Sequence, residues 1–327
     1  MELRDQFGRV HDYLRISLTE RCNLRCFYCM PEEGIEKRPR DEFMTTEELL
    51  HIADTFVQLG VKKIRLTGGE PLVRKDAGTI LRALSAHPVD LGITTNGILV
   101  HQYLEDFLAS GMKSINVSLD SLDAEKQAKI SRRDYFPQIM DNIHLLLKND
   151  FHVKVNAVIM QGVNEQEVAD FVEWTKDLPL HVRFIEFMPF DGNQWNWAKK
   201  VSSAEMMAAI QARFDADQLE RIADRPNDTA RNYRIAGYQG TFGMISPVTN
   251  PFCDSCNRIR LTADGKLKNC LFSQTETDLL GALRRGEDIV SLIQTSIWDK
   301  KAARGGMTSF ELEGAMHTNR SMIKIGG

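Results

Sequence analysis

Residues 13–29, which read YLRISLTERCNLRCFYC, are the part of the sequence that decides the fold. The first part of this stretch, 13–19, is fairly apolar and predicts a β-strand. Three cysteines, Cys22, Cys26 and Cys29, follow it directly in a Cys-x3-Cys-x2-Cys spacing. Because α/β folds place their active sites at the carboxyl ends of strands, this loop is a candidate active-site loop.

Five more runs of strand length follow, and amphipathic helical stretches separate them. The predicted strands are 62–67, 91–95, 114–119, 153–160 and 181–188. The first predicted helix starts at the cap-like Thr45-Thr46-Glu47-Glu48 and stops at Gly60, and the others are 76–87, 101–110, 134–148, 165–177 and 203–214. Six βα units in succession predict an α/β fold with parallel strands and right-handed crossovers. The pattern alone leaves two folds open, a doubly wound sheet and a partial barrel.

The pattern changes after about Ala216, where the segments become short and rich in turns. Ala236-Gly237, Gln239-Gly240 and Ala263-Asp264-Gly265 are examples of these turns. The sequence therefore predicts a division into residues 1–215, which carry the βα units, and a C-terminal region, 216–327.

The composition indicates a globular enzyme, because 43% of the 327 residues are hydrophobic and 26% are charged. The net charge of −4 argues against a general nucleic-acid-binding surface, and no apolar run reaches the ~18 residues of a membrane span. Residues 1–10 lack a signal-peptide core, so a cytoplasmic location is expected. Thiols stay reduced there, which makes the six cysteines better candidates for metal ligands than for disulfides.

A second set of cysteines, Cys253, Cys256 and Cys270, lies in the C-terminal region. Each set thus holds three cysteines, whereas a structural zinc site is usually closed by four ligands. An iron–sulfur cubane held by three thiolates keeps one iron open for a small molecule. Zinc remains an alternative at either set, and His317 could supply a fourth ligand to the second one.

The positions of the cysteines in the second set are related by a predicted hairpin. Segments 257–262 and 266–271 predict a β-hairpin around a turn at 263–265. In that register Cys270 stands opposite Arg258, so the chain returns Cys270 to the neighbourhood of Cys256.

Arg258 and Arg260 lie beside this second set at positions i and i+2. On a strand both side chains point to one face. Two guanidiniums next to an open iron form a fork for a polyphosphate, although a solvated surface pair is the simpler alternative.

The first cysteine loop and the segment Gly68-Gly69-Glu70-Pro71 resemble the radical S-adenosylmethionine (SAM) superfamily. The signature of that superfamily places an aromatic residue before the last cysteine, as Tyr28 does here. The resemblance implies a partial (β/α)6 TIM-like barrel with a C-terminal region carrying a second Fe–S cluster. It also implies that a reduced cluster cleaves SAM to a 5′-deoxyadenosyl radical, which takes a hydrogen from the substrate.

Over nearly its whole length the chain resembles one family of this superfamily, the GTP 3′,8-cyclases of molybdenum cofactor biosynthesis. The matching segments are residues 15–22 (RISLTERC), 65–71 (RLTGGEP), 94–97 (TTNG), 116–120 (NVSLD), 154–156 (KVN), 183–188 (RFIEFM), 252–260 (FCDSCNRIR) and 326–327 (GG). One departure is Asp228-Thr229-Ala230, where many family members have Gly-Pro-Ala.

The resemblance implies a role for each matching residue. Two [4Fe-4S] clusters would be held, the first by Cys22, Cys26 and Cys29 and the auxiliary one by Cys253, Cys256 and Cys270. SAM would be bound by Tyr28, Gly69, Ser118 and Met188. GTP, mostly its triphosphate, would be bound by Arg15, Arg65, Thr94, Lys154, Arg183, Arg258 and Arg260. The implied catalytic set is Arg15, Arg258, Arg260, Gly326 and Gly327, with the two glycines reaching into the active site.

The implied reaction removes the 3′ hydrogen of GTP and joins C3′ to C8 of guanine, as the first step of molybdenum cofactor biosynthesis. The implied partners are cyclic pyranopterin monophosphate synthase, which would act on the product, and an electron donor such as flavodoxin or ferredoxin. Neither nucleic acid nor a membrane is expected as a partner, and a homodimer is one option for the assembly.

Two other functions remain open from the residues alone. A different auxiliary-cluster radical SAM enzyme, one that modifies peptides, would need a peptide partner and no arginine fork. A zinc protein that binds nucleic acid would cleave no SAM, and the acidic net charge argues against it.

Overall fold

The structure is a computed structural model that describes residues 2–36, 38–193, 195–307 and 320–326. His317 and Gly327 lie outside these ranges. Within them, one mixed sheet contains twelve strands. In chain order they are β1 (Tyr13–Ser17), β2 (Lys63–Thr67), β3 (Asp90–Thr95), β4 (Ser114–Ser118), β5 (His152–Ile159), β6 (His181–Glu186), β7 (Leu219–Ile222), β8 (Ala230–Ile235), β9 (Thr241–Ile245), β10 (Arg258–Leu261), β11 (Lys266–Lys268) and β12 (Thr277–Asp278).

The helices connect and cover this sheet. They are α1 (Thr46–Gln58), α2 (Ala77–Leu84), α3 (Leu104–Ala109), α4 (Ala124–Ser131), α5 (Phe136–Lys148), α6 (Val168–Glu173), α7 (Ser203–Gln211), α8 (Leu279–Arg284), α9 (Ile289–Trp298) and α10 (Met322–Ile325). Single turns of 3-10 helix occupy Arg40–Glu42, Pro71–Val73, Val100–Gln102, Glu165–Glu167, Trp197–Lys199, Ala216–Gln218 and Arg304–Gly306. Among the described residues, no helix combines the length and the apolar character that a membrane span needs.

The six predicted βα units are confirmed, and each strand ends within two residues of its predicted bounds. Helix α1 begins with the predicted cap, where the Thr45 side chain accepts from the Glu48 N–H and the Glu48 carboxylate accepts from the Thr45 N–H. The predicted helices 101–110 and 165–177 each begin with a turn of 3-10 helix, and 165–177 also ends early, at Glu173. The predicted helices 76–87 and 203–214 each end three residues early.

Helix α4 is absent from the predicted helices. Only Gln127, Ile130 and Ser131 of its residues are buried, so its apolar stripe is too short to stand out in the sequence. The helix begins instead on a local contact, in which the Asp123 carboxylate accepts from the Lys126 N–H at 2.8 Å.

The C-terminal region extends the parallel sheet at both edges. The strand order is β12-β11-β10-β1-β2-β3-β4-β5-β6-β9-β8-β7, with β10 parallel to β1 and β9 parallel to β6. The predicted hairpin is confirmed with its register, because Arg260 pairs with Lys268 and Leu261 with Leu267. The division of the chain at residues 215 and 216 stays a prediction.

Side chains alternate between the two faces of the sheet. In β1, Leu14 and Ile16 are fully buried in the apolar core shared with the helices, while Tyr13, Arg15 and Ser17 point to the opposite face. The sheet curves around that polar face. Strands β1 and β6 would stand about 24 Å apart in a flat sheet, yet the ring of Tyr28, in the loop after β1, meets the ring of Phe187, directly after β6, with centroids 6.5 Å apart. The polar face is therefore the inside of a partial barrel.

Candidate active site

The first cysteine loop is positioned by the segment that follows β2. The Gly69 N–H donates to the Thr19 carbonyl at 2.7 Å, and the Glu70 N–H donates to the Arg21 carbonyl at 2.8 Å. A Cβ atom on Gly68 would lie 2.7 Å from the Thr19 carbonyl oxygen, and one on Gly69 would overlap the Arg21 carbonyl. Glycine is required here because the backbone of the cysteine loop passes directly over it.

Glu70 ties the ends of β2 and β3 to this loop. Its buried carboxylate accepts from Thr95 Oγ1 at 2.8 Å and from the Asn96 N–H at 2.7 Å. Burial raises the pKa of Glu70 to about 7, against the effect of these hydrogen bonds. Asn96 in turn donates from Nδ2 to Asn23 Oδ1 at 2.7 Å and approaches the Cys22 sulfur at 3.9 Å.

The three thiols of the first loop lie close together and are not in disulfides. Burial raises the pKa of Cys22 to about 11. It also raises the pKa of Cys29, with the added effect of Cys22, to about 12, and burial raises the pKa of Cys26 well above its usual value. Thiols in such a site become thiolates only when a positive centre binds them. Three free thiols on one loop are the donor set of an iron–sulfur cluster, in which each thiolate binds a separate iron.

The four residues predicted to bind SAM lie at the carboxyl ends of strands around this loop. Gly69 follows β2, Ser118 ends β4 and Met188 follows β6. The Tyr28 hydroxyl donates to Asp120 Oδ2 at 2.7 Å, and its ring meets Phe187 edge-on, with centroids 6.5 Å apart. The loop after β1 thus crosses to the end of β6 at the mouth of the barrel.

The second cysteine set lies next to β10, the strand that pairs with β1. The Cys256 N–H donates to the Cys253 carbonyl at 3.1 Å, which forms a tight turn, and the Arg304 N–H approaches the Cys253 sulfur at 3.4 Å. Burial would raise the pKa of Cys256, but the charges of Lys300 and Arg258 outweigh it and lower the pKa to about 7. This cysteine therefore lies in a more positive environment than those of the first loop.

Three arginines occupy one register row on adjacent strands. Arg260 on β10 pairs with Arg15 on β1, which pairs with Arg65 on β2. The next residue in the row is Gly92 on β3, where a Cβ atom would lie 2.9 Å from Arg65 Nη2. Gly92 thus provides the space that the Arg65 guanidinium fills. Arg65 is held there by hydrogen bonds from Nε to the Tyr13 hydroxyl at 2.6 Å and from Nη1 to the Ile93 carbonyl at 2.8 Å.

Further basic side chains join this row inside the barrel, and we call Arg15, Arg65, Lys154, Arg183, Arg258 and Arg260 the basic cluster. Burial first, and then mutual repulsion, lower the pKa of Arg15 to about 10, of Arg183 and Arg260 to about 9, and of Lys154 to about 8. Buried like charges are costly unless an anion compensates them. Arg258 Nη2 is buried without a hydrogen-bond partner among the described residues, while the same guanidinium is near enough to Cys256 to lower the pKa of that thiol.

Thr94, which is predicted to bind GTP, lies two residues after Gly92 on β3 and on the same face of the sheet. It pairs in register with Asn116 of β4, whose amide approaches Thr94 Oγ1 at 3.5 Å. All seven residues predicted to bind GTP therefore lie on strands of the curved parallel sheet.

The C-terminal tail enters the barrel next to this cluster. Arg260 Nη1 donates to the Gly326 carbonyl at 2.7 Å. A Cβ atom on Gly326 would lie 2.8 Å from both Ser17 Cβ and Thr67 Oγ1, and its φ of +83° also favours glycine. Further back in the tail, the backbone of Ile323 is near enough to the Cys29 thiol to lower its pKa against the larger, opposite effect of burial. Gly327, the other predicted tail residue, lies outside the described residues.

Comparisons with known proteins agree with this geometry. Residues 16–175 match the Radical SAM superfamily, and residues 180–305 match the family Molybdenum Cofactor Synthesis C. The protein named GTP 3′,8-cyclase, mitochondrial, from Arabidopsis thaliana is 47% identical over 99% of this chain and 83% of its own length. The chain belongs to the GTP 3′,8-cyclase family.

Another member of the GTP 3′,8-cyclase family, from Peptoclostridium acidaminophilum, is 42% identical over 99% of this chain and 98% of its own. Molybdenum cofactor biosynthesis protein 1 of mouse is 46% identical, and the chain spans 51% of its length. In fold, SuiB of Streptococcus suis, solved with S-adenosylmethionine, superposes with a TM-score of 0.62 at 16% identity over 97% of this chain and 72% of its own. The predicted family and fold class are confirmed.

The structure of this cyclase-family chain also brings in residues to which the sequence assigned no role. The loop that departs from the family pattern reaches the basic cluster, because Arg258 Nη1 donates to the Asn227 carbonyl at 3.3 Å. Asp228 is near enough to raise the pKa of both Lys154 and Arg183. A negative charge thus faces the cluster from a loop that only the fold brings there.

Tyr13 is a second residue of this kind. Burial would raise the pKa of its phenol, but Arg65 and Arg15 more than offset this and lower the pKa to about 7. Its position at i−2 from Arg15 on β1 was the available signal, since residues two apart on a strand share a face. Asp120, which follows β4, contacts Tyr28, and Asn96, which follows β3, contacts Cys22. The family motifs that contain Asp120 and Asn96 do not predict these contacts.

Proposed function

We propose that this member of the GTP 3′,8-cyclase family converts GTP to (8S)-3′,8-cyclo-7,8-dihydroguanosine 5′-triphosphate inside the partial barrel. The observation that supports this most directly is the basic cluster. It places buried like charges next to the second cysteine set, in a chain whose net charge is −4. A triphosphate is the ligand that such a concentration of positive charge favours.

The first cysteine loop has the residues for the SAM cluster that membership of the radical SAM superfamily implies. When bound and reduced, that cluster and SAM supply the 5′-deoxyadenosyl radical for removal of the 3′ hydrogen of GTP. We infer that Tyr28, Gly69, Ser118 and Met188 surround SAM. The Gly68-Gly69 backbone supports the loop that carries the cysteines, and Tyr28 is fixed by its bond to Asp120.

At the second set, Cys253, Cys256 and Cys270 fit an auxiliary [4Fe-4S] cluster with one open iron. The three thiols are free, and the hairpin returns Cys270 beside β10. An open iron there would meet the guanine of GTP while the basic cluster holds the triphosphate. Burial and the neighbouring positive charges have opposite effects on the Cys256 thiol, and the net lowering of its pKa favours the thiolate that iron binds.

We infer that the chain's own residues bind different parts of GTP. Phosphate oxygens would bind the side chains of Arg15, Arg65, Thr94, Lys154, Arg183, Arg258 and Arg260. Arg260 also bonds to the Gly326 carbonyl, so binding of the tail and binding of the triphosphate share one guanidinium. We propose that the tail, with Gly326 and Gly327, closes the barrel over the ribose and excludes water from the radical.

Several related predictions stay open. Cyclic pyranopterin monophosphate synthase as the enzyme acting on the product, flavodoxin or ferredoxin as the electron donor, and a homodimer are expected from the family resemblance. A cytoplasmic location is expected from the sequence, whereas the Arabidopsis relative is named as mitochondrial.

The test is anaerobic incubation of the reconstituted protein with dithionite, SAM and GTP deuterated at C3′. Deuterium in the 5′-deoxyadenosine would establish GTP as the substrate and C3′ as the site of abstraction. Unlabelled deoxyadenosine would refute abstraction from C3′. The control variants Cys26→Ser and Cys256→Ser address the two clusters separately: the first should form no deoxyadenosine, and the second should still cleave SAM but transfer no deuterium.

A further inference from the structure

Lys300, two residues after α9, is buried beside the second cysteine set, with 2% of its surface exposed. Its Nζ lies 2.9 Å from the Arg258 carbonyl oxygen, 3.5 Å from the Cys256 sulfur and 3.4 Å from His11 Nδ1. An ammonium group has three N–H donors and no acceptor. Three acceptors therefore match its three donors, which makes this a site for the charged form of lysine.

The N-terminal segment fixes this arrangement from the other side. His11 Nε2 lies 3.0 Å from Asp5 Oδ2, so Nε2 carries the proton and Nδ1 is left to accept from Lys300. Asp5 and His11 are themselves buried. Arg9 donates from Nε to Asp5 at 2.6 Å and from Nη1 to the Cys253 carbonyl at 2.8 Å. Residues 5–11 thus hold both Lys300 and the loop that carries the cysteines.

A lysine that merely filled space here would be costly, because burial of an ammonium is unfavourable unless a negative group compensates it. Of the three groups that contact Nζ, the carbonyl and the imidazole are neutral acceptors. Cys256 is the one that becomes an anion when it binds iron. The donors at Cys22 in the first loop are, by contrast, neutral amides of Leu24 and Asn96.

We propose that Lys300 is a positioning residue of the auxiliary cluster, whose ammonium donates a charge-assisted hydrogen bond to the Cys256 thiolate and thereby raises the reduction potential of that cluster. This inference rests on the proposed auxiliary cluster. Reduction adds one negative charge to a cluster, and a nearby positive charge stabilises the reduced state more than the oxidised one. Hydrogen bonds to ligand sulfur act in the same direction.

The test compares the full-length, reconstituted wild-type protein with K300Q, K300M and a control, K301M. Lys301 is the exposed neighbour of Lys300, so its substitution keeps the local sequence and removes the same charge from the surface. Iron and sulfide content would be measured first. A redox titration followed by electron paramagnetic resonance would then give the potential of each cluster, with the auxiliary signal identified as the one that SAM does not perturb.

We expect the auxiliary potential to fall in K300Q, which keeps N–H donors but loses the charge, and to fall further in K300M. The SAM-cluster potential should stay unchanged in both, and K301M should match the wild type throughout. Loss of the auxiliary cluster from K300M, with K300Q loaded at a lower potential, would also support the role.

An auxiliary potential in K300Q equal to that of the wild type would overturn the inference. Failure of K300Q to fold even without iron would overturn it as well, because Lys300 would then be a residue of the structural core. Iron and sulfide for a single cluster in the wild type would overturn the proposed auxiliary cluster itself, a result that is distinct from an unchanged potential.

Discussion

Replacement of Gly92 by alanine should weaken GTP binding although Gly92 contributes no side chain to the site. The new Cβ atom would lie 2.9 Å from Arg65 Nη2 and 3.1 Å from Arg65 Cζ. Ordinary contact needs about 3.5 Å or more, so the guanidinium must move by about 0.5–1 Å. It cannot move freely, because Arg65 is 4% exposed and bonded to the Tyr13 hydroxyl and the Ile93 carbonyl.

The size of the effect follows from the contact that is lost. Displaced Arg65 would forfeit a charge-assisted hydrogen bond to phosphate, which contributes about 1.5–3 kcal/mol. The dissociation constant for GTP should therefore rise about 10- to 150-fold in G92A. Isothermal titration calorimetry of the reconstituted protein with GTP, without reductant, measures this directly.

The matched control is I93V, the next residue on β3. Ile93 is fully buried and points to the opposite, apolar face, and loss of its methyl group should cost about 0.5–1.5 kcal/mol of folding stability without touching Arg65. GTP affinity in I93V should stay at the wild-type value. Wild-type affinity in a folded G92A, or an equal loss in I93V, would refute the reasoning.

Three further predictions concern the same cavity. Arg258→Ala or Arg260→Ala should lower kcat/KM for GTP roughly 30- to 150-fold, which corresponds to a loss of about 2–3 kcal/mol of transition-state stabilisation. An unchanged kcat/KM in the double variant would contradict the role of these arginines in binding phosphate. Removal of Gly326-Gly327 should abolish turnover while the iron and sulfide content stays at the wild-type level, and an active truncated protein would refute the role of the tail. GTP binding should weaken as the pH rises through about 8, because burial lowers the pKa of Lys154 to about 8 and phosphate stabilises the protonated form of this lysine. The variant K154M should lose this pH dependence. A GTP affinity of the wild type that calorimetry finds independent of pH would count against the prediction. The folding stability of the GTP-free protein should instead rise with pH between about pH 8 and 10.5. In that range the lowered pKa of Lys154 makes the unfolded state bind more protons than the folded state.

The sequence predicted much of the fold because the relevant signals are local. Strand and helix periods are properties of neighbouring residues, and the six βα units lie where those periods place them. The hairpin register followed from its turn alone, and the structure pairs Arg260 with Lys268 as that register requires. Helix α4 shows the limit of this reasoning, since a short, mostly exposed helix carries almost no periodic signal.

The candidate site was predictable only as a set of residue types. The cysteine spacings and the family motifs named the thiols and the basic residues, but not which of them share a register row. The absence of a side chain at Gly69 also makes room for the backbone of the cysteine loop, a contact that the motif does not specify. A glycine in a motif shows that something approaches closely without showing what approaches.

The sequence by itself determined the spacing of the cysteines, the order of the βα units and the family, because each is encoded in residues that are close along the chain. Only the tertiary structure decided that Tyr28 after β1 meets Phe187 after β6, that Gly92 makes room for Arg65, and that Lys300 and His11 meet beside Cys256. Lys300 and His11 are 289 positions apart. Such contacts depend on the accumulated twist and tilt of all the strands between them, a property that no local pattern contains.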